Sequence, residues 1–291
     1  MNKKLRDGLN VLEKRIAHFI RNLFRSCISL LRMFVLSRPG VARQYKEFKV
    51  SKNCCVLGNG PSLKIDFEAG RVMADGNDLL CVNMFCSSPL FRQLKPRFYF
   101  LVDGTFFSPT NEREHKLVEE LKEAFATVDW DMFLVISSSA VAGSELLGNI
   151  KNKYITVLRV NSTAVDGFKG FRHWVYRHRL GMPRCQTVVN FALCTAINMG
   201  YENIYLYGAD HTWTRDLFVD DDNVVCYGDR HMYNKNLTVV KKEHDFAHLL
   251  DQFSMMFKAH YLLEDYSKSQ GVKIWNCASD TFLDAYERMN K

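Results

Sequence analysis

The sequence contains no run of about 20 apolar residues and no pair of cysteines at C-x-x-C spacing. A helix that crosses a bilayer needs such a run, and structural zinc sites commonly use such a spacing. The nine cysteines are odd in number, which argues against a complete disulfide framework. We therefore expect free, mostly buried thiols in a reducing cytosol, without a membrane span, a zinc site or a cleaved signal peptide.

The body of the chain also lacks excess positive charge. The net charge of +7 comes from residues 1–52, which carry 13 Lys and Arg against three Asp and Glu, whereas residues 53–291 carry 26 against 29. A basic body would have suggested nucleic acid. The mildly acidic body predicts no nucleic-acid partner, and its length is sufficient for one large domain with a sizeable core.

Residues 1–50 predict a basic amphipathic arm and linker. Apolar residues recur every three or four positions from Leu5 to Phe34, with Arg and Lys between them, as on one face of a helix. Pro39 and Gly40 predict the end of this helix. The face either lies on an anionic membrane or packs on the body or on a second copy, as a possible homo-oligomer. The membrane interpretation predicts a cytoplasmic protein, peripheral on the inner face of the cell membrane.

From residue 51 to 291 strands alternate with helices, which predicts an α/β catalytic domain with a Rossmann-type, mostly parallel sheet and flanking helices. The clearest helices are 187–199 and 246–269, and a last helix is expected around 282–286. Residues 214–247 are polar and lack an apolar period, which is typical of a lid over a site. The predicted strands are 53–57, 79–83, 98–102, 132–137, 154–160, 203–207 and 272–276.

Glycine-rich turns follow two of these strands, at residues 58–63 and 208–213. In parallel α/β sheets such turns present backbone N–H groups to a phosphate at the carboxyl edge of the sheet. Two other strands end in polar groups, one with Asn83 and one just before Asp103, and both residues are expected at the same edge. The first turn is neither G-x-G-x-x-G nor a P-loop, so it does not support a dinucleotide or ATP site.

Three blocks, 56–63, 81–85 and 187–210, resemble the nucleotide-site motifs of the bacterial sialyltransferases of glycosyltransferase family 42. They also resemble the related Kdo-transferase and Maf-type, MptE-like domains. The resemblance covers about residues 53–280 and implies a GT-A-like single nucleotide-binding domain with a lid. It implies an enzyme that moves a sialic-acid-type or Kdo sugar from a CMP-activated donor to a glycan or glycolipid acceptor, without a metal or another cofactor.

The resemblance assigns the nucleotide site to residues at the strand ends. Asn59 and Gly60 would meet the phosphate or ribose, and Asn83 would bond to the nucleotide. The family's second asparagine position falls near Asp103 here, which departs from the pattern. With Gly58 and Ser62 of the first glycine turn, the full predicted nucleotide-binding set is Gly58, Asn59, Gly60, Ser62, Asn83, Asp103, Thr187, Val188, Gly208 and Asp210.

The resemblance also implies a histidine base between the lid and the long helix. The candidates are His231, which its surroundings favour, then His248, with His244 also open. Histidine suits inverting transfer to a hydroxyl because its pKa lies near neutrality. Thr212 stands where a lid tyrosine is expected, so other donors would have to hold the leaving phosphate. These are Tyr227, Tyr233 and Arg230.

Two other functions are open on the sequence. An MptE-like pyrophosphokinase that acts on a pterin with ATP would need Mg²⁺ and carboxylates at the sheet edge, for which Asp103 and Asp210 are candidates. A non-catalytic binding module in surface-polysaccharide assembly would keep the fold without turnover. The acidic run 220–222 is interpreted as a solvated loop rather than a metal site, and residues 173–179 as an anion-binding cluster or a surface helix. His211 is interpreted as a stacking or supporting residue rather than the base.

Overall fold

Eight parallel strands form the frame of the molecule. The computed structural model describes residues 3–38, 45–232, 238–241 and 245–289. The strands are β1 (Asn53–Leu57), β2 (Asp78–Val82), β3 (Phe98–Leu101), β4 (Met132–Ser137), β5 (Ile155–Val160), β6 (Asn203–Tyr207), β7 (Leu217–Val219), β8 (Val225–Asp229), β9 (Thr238–Lys241), β10 (Lys273–Asn276) and β11 (Glu287–Arg288). The large sheet has the order β11-β10-β6-β1-β2-β3-β4-β5, and all its neighbouring strands are parallel.

Helices cover both faces of this sheet. They are α1 (Lys3–Leu36), α2 (Pro61–Glu68), α3 (Leu90–Leu94), α4 (Glu112–Ala126), α5 (Glu145–Asn149), α6 (Lys169–Arg177), α7 (Val188–Met199) and α8 (Phe246–Ser269). Side chains alternate along β1, so that Cys54 and Val56 join the core with α6, α7 and α8, whereas Cys55 and Leu57 join the core with α4. The predicted α/β fold with a parallel sheet, flanking helices and an N-terminal helix is confirmed.

The predicted strands agree closely with the observed ones. Strands 53–57, 132–137 and 203–207 have the predicted bounds, and the other four begin and end within one residue of them. Parallel strands covered on both faces read as continuous apolar runs, which is why the sequence shows them clearly. The helix predicted over 246–269 is also observed with the same bounds.

The last predicted helix is wrong, since residues 277–286 form an irregular segment that leads into β11. The backbone N–H of Phe282 donates to the carbonyl of Asp210 at 2.9 Å. The hydroxyl of Thr281 donates to the carbonyl of Ala209 at 2.8 Å. These tertiary bonds tie the segment to the chain that follows β6, and they take precedence over the local helical spacing that the sequence suggested.

Helix α1 packs on the body through small polar residues together with Phe19, whose ring lies 5.3 Å from that of Phe168. Ser26 and Ser29 are buried. The hydroxyl of Ser26 accepts the backbone N–H of Phe168 at 3.1 Å, and the hydroxyl of Ser29 exchanges two 2.9 Å hydrogen bonds with the backbone of Asp166. A Cβ at Gly167 would lie 2.1 Å from the Ser26 hydroxyl. The helix and the segment after β5 are therefore in close contact.

The apolar face of α1 remains exposed beside this contact. Phe34, for example, is 88% exposed. The helix ends at Leu36, close to the predicted end, although Pro39 and Gly40 lie outside the described residues. Among the described helices, none combines the length and the apolarity that crossing a membrane requires. The large apolar residues exposed on α1 are Val11, Leu12, Ile16, Phe19, Ile20, Leu23, Phe24, Leu30, Leu31, Phe34, Val35 and Leu36.

The predicted lid, 214–247, contains a small antiparallel sheet of β7, β8 and β9. The carboxylate of Asp220 accepts the N–H of Val224 at 2.9 Å and pairs with Lys241 at 2.7 Å. Asp220 thus stabilises the turn between β7 and β8, which fits the solvated-loop interpretation of residues 220–222. The role of this segment as a lid stays a prediction.

The two glycine turns meet where β1 and β6 end. Gly208 has a left-handed backbone with φ of +62°, and a Cβ there would lie 2.6 Å from the carbonyl oxygen of Gly58. Conversely, a Cβ at Gly58 would lie 2.3 Å from the carbonyl oxygen of Gly208. Only glycine at both positions permits this conformation and this approach.

We expect Gly208→Ala to lower the free energy of unfolding by about 3 kcal/mol, because the substitution adds both backbone strain and a steric clash. Urea unfolding of the full chain measures the change. The matched control is Gly170→Ala in α6, where a Cβ meets no atom within 4 Å and stability should change by less than about 1 kcal/mol. Equal losses in both variants would show that the crossing of the turns is not the constraint.

Candidate functional site

A cavity of about 670 Å³ opens at the carboxyl ends of β1 and β6. The chain runs from β1 to β2 on one side of this pair and from β6 to β10 on the other. Open α/β sheets bind ligands at such a switch point. The predicted site residues that line the cavity are Asn59, Gly60, Asn83, Asp103, Thr187, Val188, Gly208, Asp210, Tyr227 and His231.

The remaining predicted site residues lie elsewhere. Gly58 and Ser62 are buried and are not among the residues that line the cavity. His248 is exposed in the first turn of α8, where Gln252 lies 2.9 Å from its Nε2. Tyr233 and His244 lie outside the described residues, so their predicted roles stay predictions.

Three N–H groups of the first glycine turn are used by the fold itself. Gly58 donates to the carbonyl of Tyr207 and Gly60 to the carbonyl of Gly208, both at 2.8 Å. The N–H of Ser62 donates to the carboxylate of Asp210 at 2.9 Å. These three groups are therefore not available to a phosphate, contrary to the expectation from the sequence. The glycines serve the crossing of the two turns.

The carboxylate of Asp210 caps the first turn of α2. It accepts the N–H and the hydroxyl of Ser62, and Gly60 leaves room for it, since a Cβ there would lie 2.4 Å from its Cγ. Negative charge is favourable at a helix N-terminus, so the protein's own carboxylate occupies the place expected for a phosphate. Burial, and to a smaller extent the charges of Asp280 and Asp66, raise the pKa of Asp210 to about 6.

Two amide side chains at the cavity have unpartnered oxygens. The amide nitrogen of Asn59 donates to the carbonyl of Val82 at 3.0 Å. Its Oδ1, like that of Asn83, is buried without a hydrogen-bond partner among the described residues. Asn83 has a left-handed φ of 47°, which asparagine tolerates better than most residues. Buried acceptors are normally paired, so these two oxygens are suited to donors of a ligand.

Helix α7 begins at the cavity wall with Thr187 and Val188. The hydroxyl of Thr187 accepts the N–H of Asn190 at 3.4 Å and caps the helix, which ends at Gly200 in a left-handed conformation. The first N–H groups of a helix have no partner inside it, and the helix dipole favours an anion there. The start of α7 at the cavity is thus suited to an anion, whereas the bonded N–H groups of the first glycine turn are not.

Two predicted donors and the favoured base lie on one side of the cavity. Tyr227, Arg230 and His231 all line it. The guanidinium of Arg230 is held by two hydrogen bonds to Asp216 at 2.9 and 3.1 Å. The N–H of Met232 donates to the Asn59 carbonyl at 2.8 Å, which ties this segment to the first glycine turn.

Sequence reasoning missed an aromatic wall on the same cavity. The rings of Trp213 and Phe253 are parallel within 4°, with centroids 5.9 Å apart, and His211 stacks on Trp213 at 5.0 Å. All three residues line the cavity. The apolar repeat of α8 includes Phe253, but that pattern does not distinguish a residue of the core from one at a cavity. The stacking interpretation of His211 is confirmed.

The cluster at residues 173–179 lies on and just after α6, and none of its residues lines the cavity. Nε2 of His173 lies 3.3 Å from the carboxylate of Asp265 on α8. The structure therefore favours the surface-helix interpretation. In the described part of the chain, no three His, Cys, Asp or Glu side chains form a group that could hold a metal ion.

Replacement of Asp210 by Asn should change how stability depends on pH. The folded pKa of about 6 exceeds the unfolded value of about 3.9, so the folded state binds this proton more tightly. The bound proton therefore stabilises the folded state fully below about pH 4, and this contribution to the free energy of unfolding is lost as the pH rises through 6. Asparagine does not titrate, so the free energy of unfolding of Asp210→Asn should rise by about 3 kcal/mol relative to that of the wild type between pH 4 and 7.

Urea unfolding at several pH values measures this difference. The exposed Asp75→Asn is the control, and its difference from the wild type should not follow the same curve. A difference for Asp210→Asn that is constant across this range would contradict the raised pKa of Asp210.

Comparisons with known proteins bear on the family. Among solved structures, the MAf glycosyltransferase from Magnetospirillum magneticum AMB-1 has a TM-score of 0.52 and 15% sequence identity to this chain. The match covers 89% of this chain and 37% of that one, and it shows a shared fold. No curated protein matches the chain. Neither comparison names glycosyltransferase family 42, so that narrower assignment stays a prediction.

A family model matches a large part of the sequence. Residues 33–216 match the family described as 6-hydroxymethylpterin diphosphokinase MptE-like. The matched range contains β1, both glycine turns and α7, and it spans more than half of the chain. The chain belongs to the MptE-like family.

Proposed function

We propose that the cavity binds a nucleotide-activated sugar and that the protein is a glycosyltransferase. The observation that supports this most directly is the pairing of two kinds of group in one cavity. The unpartnered oxygens of Asn59 and Asn83 suit hydroxyl or amino donors, and the start of α7 suits an anion. A sugar nucleotide carries both, with ribose and base donors at one end and phosphate at the other.

The proposed donor is a CMP-activated sialic-acid-type or Kdo sugar, and the proposed acceptor is a glycan or glycolipid. A CMP-sugar carries a single phosphate, which needs fewer positive groups than a diphosphate. The resemblance of the sequence to CMP-sugar enzymes supports this choice. The name of the MAf structure supports sugar transfer in a protein of the same fold.

Binding and turnover test the proposal separately. CMP should raise the melting temperature of the full chain, because a ligand that binds the native state stabilises it, and UDP and GDP should raise it less. CMP release from CMP-N-acetylneuraminic acid or CMP-Kdo should then be measured with an acceptor glycan. Absence of both binding and release would refute the proposal, and CMP binding without turnover of any CMP-sugar would instead support a non-catalytic module.

His231 is the proposed general base, since it lines the cavity whereas His248 is exposed outside it. Glutamine cannot take up the acceptor proton, so His231→Gln should lower kcat by at least about 100-fold. The matched His248→Gln variant should keep kcat within about threefold of the wild type. Near-normal turnover in the first variant, or a larger loss in the second, would reverse the assignment.

A pterin diphosphokinase is the second candidate, because the family description names that activity and the wall of Trp213 and Phe253 suits a planar ring. The Mg²⁺ that such a reaction uses would find a poor donor set here. Asp210 is committed to Ser62, and one oxygen of Asp103 accepts from Thr105. Stabilisation by ATP with Mg²⁺ but not by CMP would favour this candidate over sugar transfer.

We also propose that α1 lies on an anionic membrane surface, where lipid-linked acceptors are found. The helix contacts the body through Ser26 and Ser29 and through the ring of Phe19, which lies 5.3 Å from that of Phe168, whereas Phe24 and Phe34 stay 66% and 88% exposed. Basic residues, among them Arg15, Arg21 and Arg32, accompany this face. Each contributes about 1 kcal/mol near an anionic leaflet.

Flotation with vesicles tests the membrane contact. The wild type should bind phosphatidylglycerol vesicles more strongly than phosphatidylcholine vesicles, and Phe24→Glu with Phe34→Glu should lower this binding by at least about tenfold. Val50→Glu, at an exposed apolar position outside α1, is the control and should bind as the wild type does. Unchanged vesicle binding in the double variant, or a larger oligomer in the wild type than in the double variant, would favour an oligomer contact instead.

A further inference from the structure

A buried chain of three side chains leads away from the cavity. Nε2 of His211 lies 3.1 Å from Nε2 of His260 on α8. Nδ1 of His260 lies 2.8 Å from the hydroxyl of Tyr286, just before β11. His211 is 6% exposed, His260 is fully buried and Tyr286 is 3% exposed. Only His211 of the three lines the cavity.

Both imidazoles are neutral at physiological pH. Burial lowers the pKa of His211 to about 3. Burial, together with the neighbouring His211, lowers the pKa of His260 well below its usual value. Each ring therefore carries one N–H and one acceptor nitrogen, and the hydrogen bonds along the chain decide which nitrogen carries the hydrogen.

The direction of the chain follows from Tyr286. Burial raises the pKa of its phenol well above the usual value, so the O–H stays protonated. Its one hydrogen-bond partner among the described residues is Nδ1 of His260. Donation to that nitrogen satisfies the O–H, whereas acceptance from it would leave a buried hydrogen unpaired at a cost of about 1–3 kcal/mol. Tyr286 therefore donates to His260.

The same logic continues along the chain to the cavity. With Nδ1 of His260 as acceptor, its hydrogen lies on Nε2 and is donated to Nε2 of His211. The hydrogen of His211 then lies on Nδ1. Because the bond to His260 uses Nε2, Nδ1 is the ring nitrogen of His211 that remains for a ligand, and it presents an N–H rather than a lone pair.

The ring of His211 is also held in place by its surroundings. Trp213 stacks on it at 5.0 Å, and Phe257 contacts it edge-on at 6.3 Å. The backbone of His211 has a left-handed φ of 51°, a strained conformation that is concentrated at functional sites. A donor fixed before the ligand arrives costs no reorganisation when charge develops beside it.

We propose that His211 donates its Nδ1–H to a phosphate oxygen of the ligand, and that His260 and Tyr286 are positioning residues that fix its tautomer. The inference rests on the proposed function only in that the ligand carries a phosphate, which both candidate reactions share. It supplies a donor beside Thr212, the position at which the resemblance leads us to expect a tyrosine. A neutral imidazole donor of this kind acts as an electrophile rather than as a base.

Two variants of His211 separate a donor at Nδ1 from one at Nε2. Asparagine places an amide nitrogen close to Nδ1, and glutamine places one close to Nε2. The ratio of the dissociation constants of cytidine and CMP measures the phosphate contact alone. We expect His211→Gln to lower this ratio by about tenfold or more, and His211→Asn to keep it within about threefold of the wild type.

Tyr286→Phe tests the chain without touching the cavity. It should lower the cytidine-to-CMP ratio by about threefold or more, because His260 loses the donor that fixes its tautomer. Tyr261→Phe on α8 is the matched control, since it removes a hydroxyl that bonds to Asp284 at 2.6 Å, and it should leave the ratio unchanged. Equal ratios in Tyr286→Phe and the control would overturn the positioning role.

Nitrogen-15 NMR of the histidine side chains gives a readout independent of the ligand. Hydrogen on Nδ1 of His211 and on Nε2 of His260 is expected in the free protein at pH 7, and hydrogen on Nε2 of His211 would overturn the proposal.

If ATP binds and CMP does not, the proposed transfer from a CMP-sugar is refuted, and the same variants are then measured with ATP and adenosine. Failure of both nucleotides to bind would overturn the phosphate contact together with the proposed function. Nucleotide binding with hydrogen on Nε2 of His211 would overturn only the phosphate contact.

Discussion

The crossing of the two glycine turns is the contact on which the site depends. β1 and β6 are neighbours in the sheet, but they lie 150 residues apart along the chain at the paired Asn53 and Asn203. Their ends can meet only where neither turn carries a Cβ, at Gly58 and Gly208. The bond from the Gly60 N–H to the Gly208 carbonyl closes the crossing. The cavity at the switch point exists because these two turns are held together.

This crossing determines how the cavity can bind an anion. It uses the N–H groups of Gly58 and Gly60, which a glycine turn would otherwise offer a phosphate, and Asp210 uses the start of α2. An anion in the cavity would therefore depend mainly on the start of α7 and on side-chain donors. A raised pKa of Asp210 also reduces the negative charge at the cavity near and below pH 6. If the mildly acidic body binds the proposed acidic ligand, it must do so with local groups.

Sequence reasoning predicted the strands and, among the predicted site residues, ten that line the cavity, because both follow from local patterns. A buried parallel strand is a continuous apolar run, and the first few residues after its end lie at the carboxyl edge, which placed Asn59, Asn83 and Asp210 together. The partners of those residues depend on tertiary contacts. Nothing local shows that Asp210 caps Ser62, or that His260 on α8 lies 3.1 Å from His211. The apolar spacing of α8 predicts which of its faces is buried, but it does not predict which residues pack against that face.

The failed prediction at the C-terminal end has the same physical origin, and it explains the architecture of the site. Residues 277–286 show helical spacing of apolar side chains, yet the hydroxyl of Thr281 donates to the carbonyl of Ala209 and the backbone N–H of Phe282 donates to that of Asp210. Once the segment is fixed there, Tyr286 reaches His260 and, through it, His211. The segment therefore holds residues 209–211 in place, and Asp210 and His211 of this stretch line the cavity. Changes in this segment should therefore act on the cavity wall through these contacts, although none of its own residues lines the cavity.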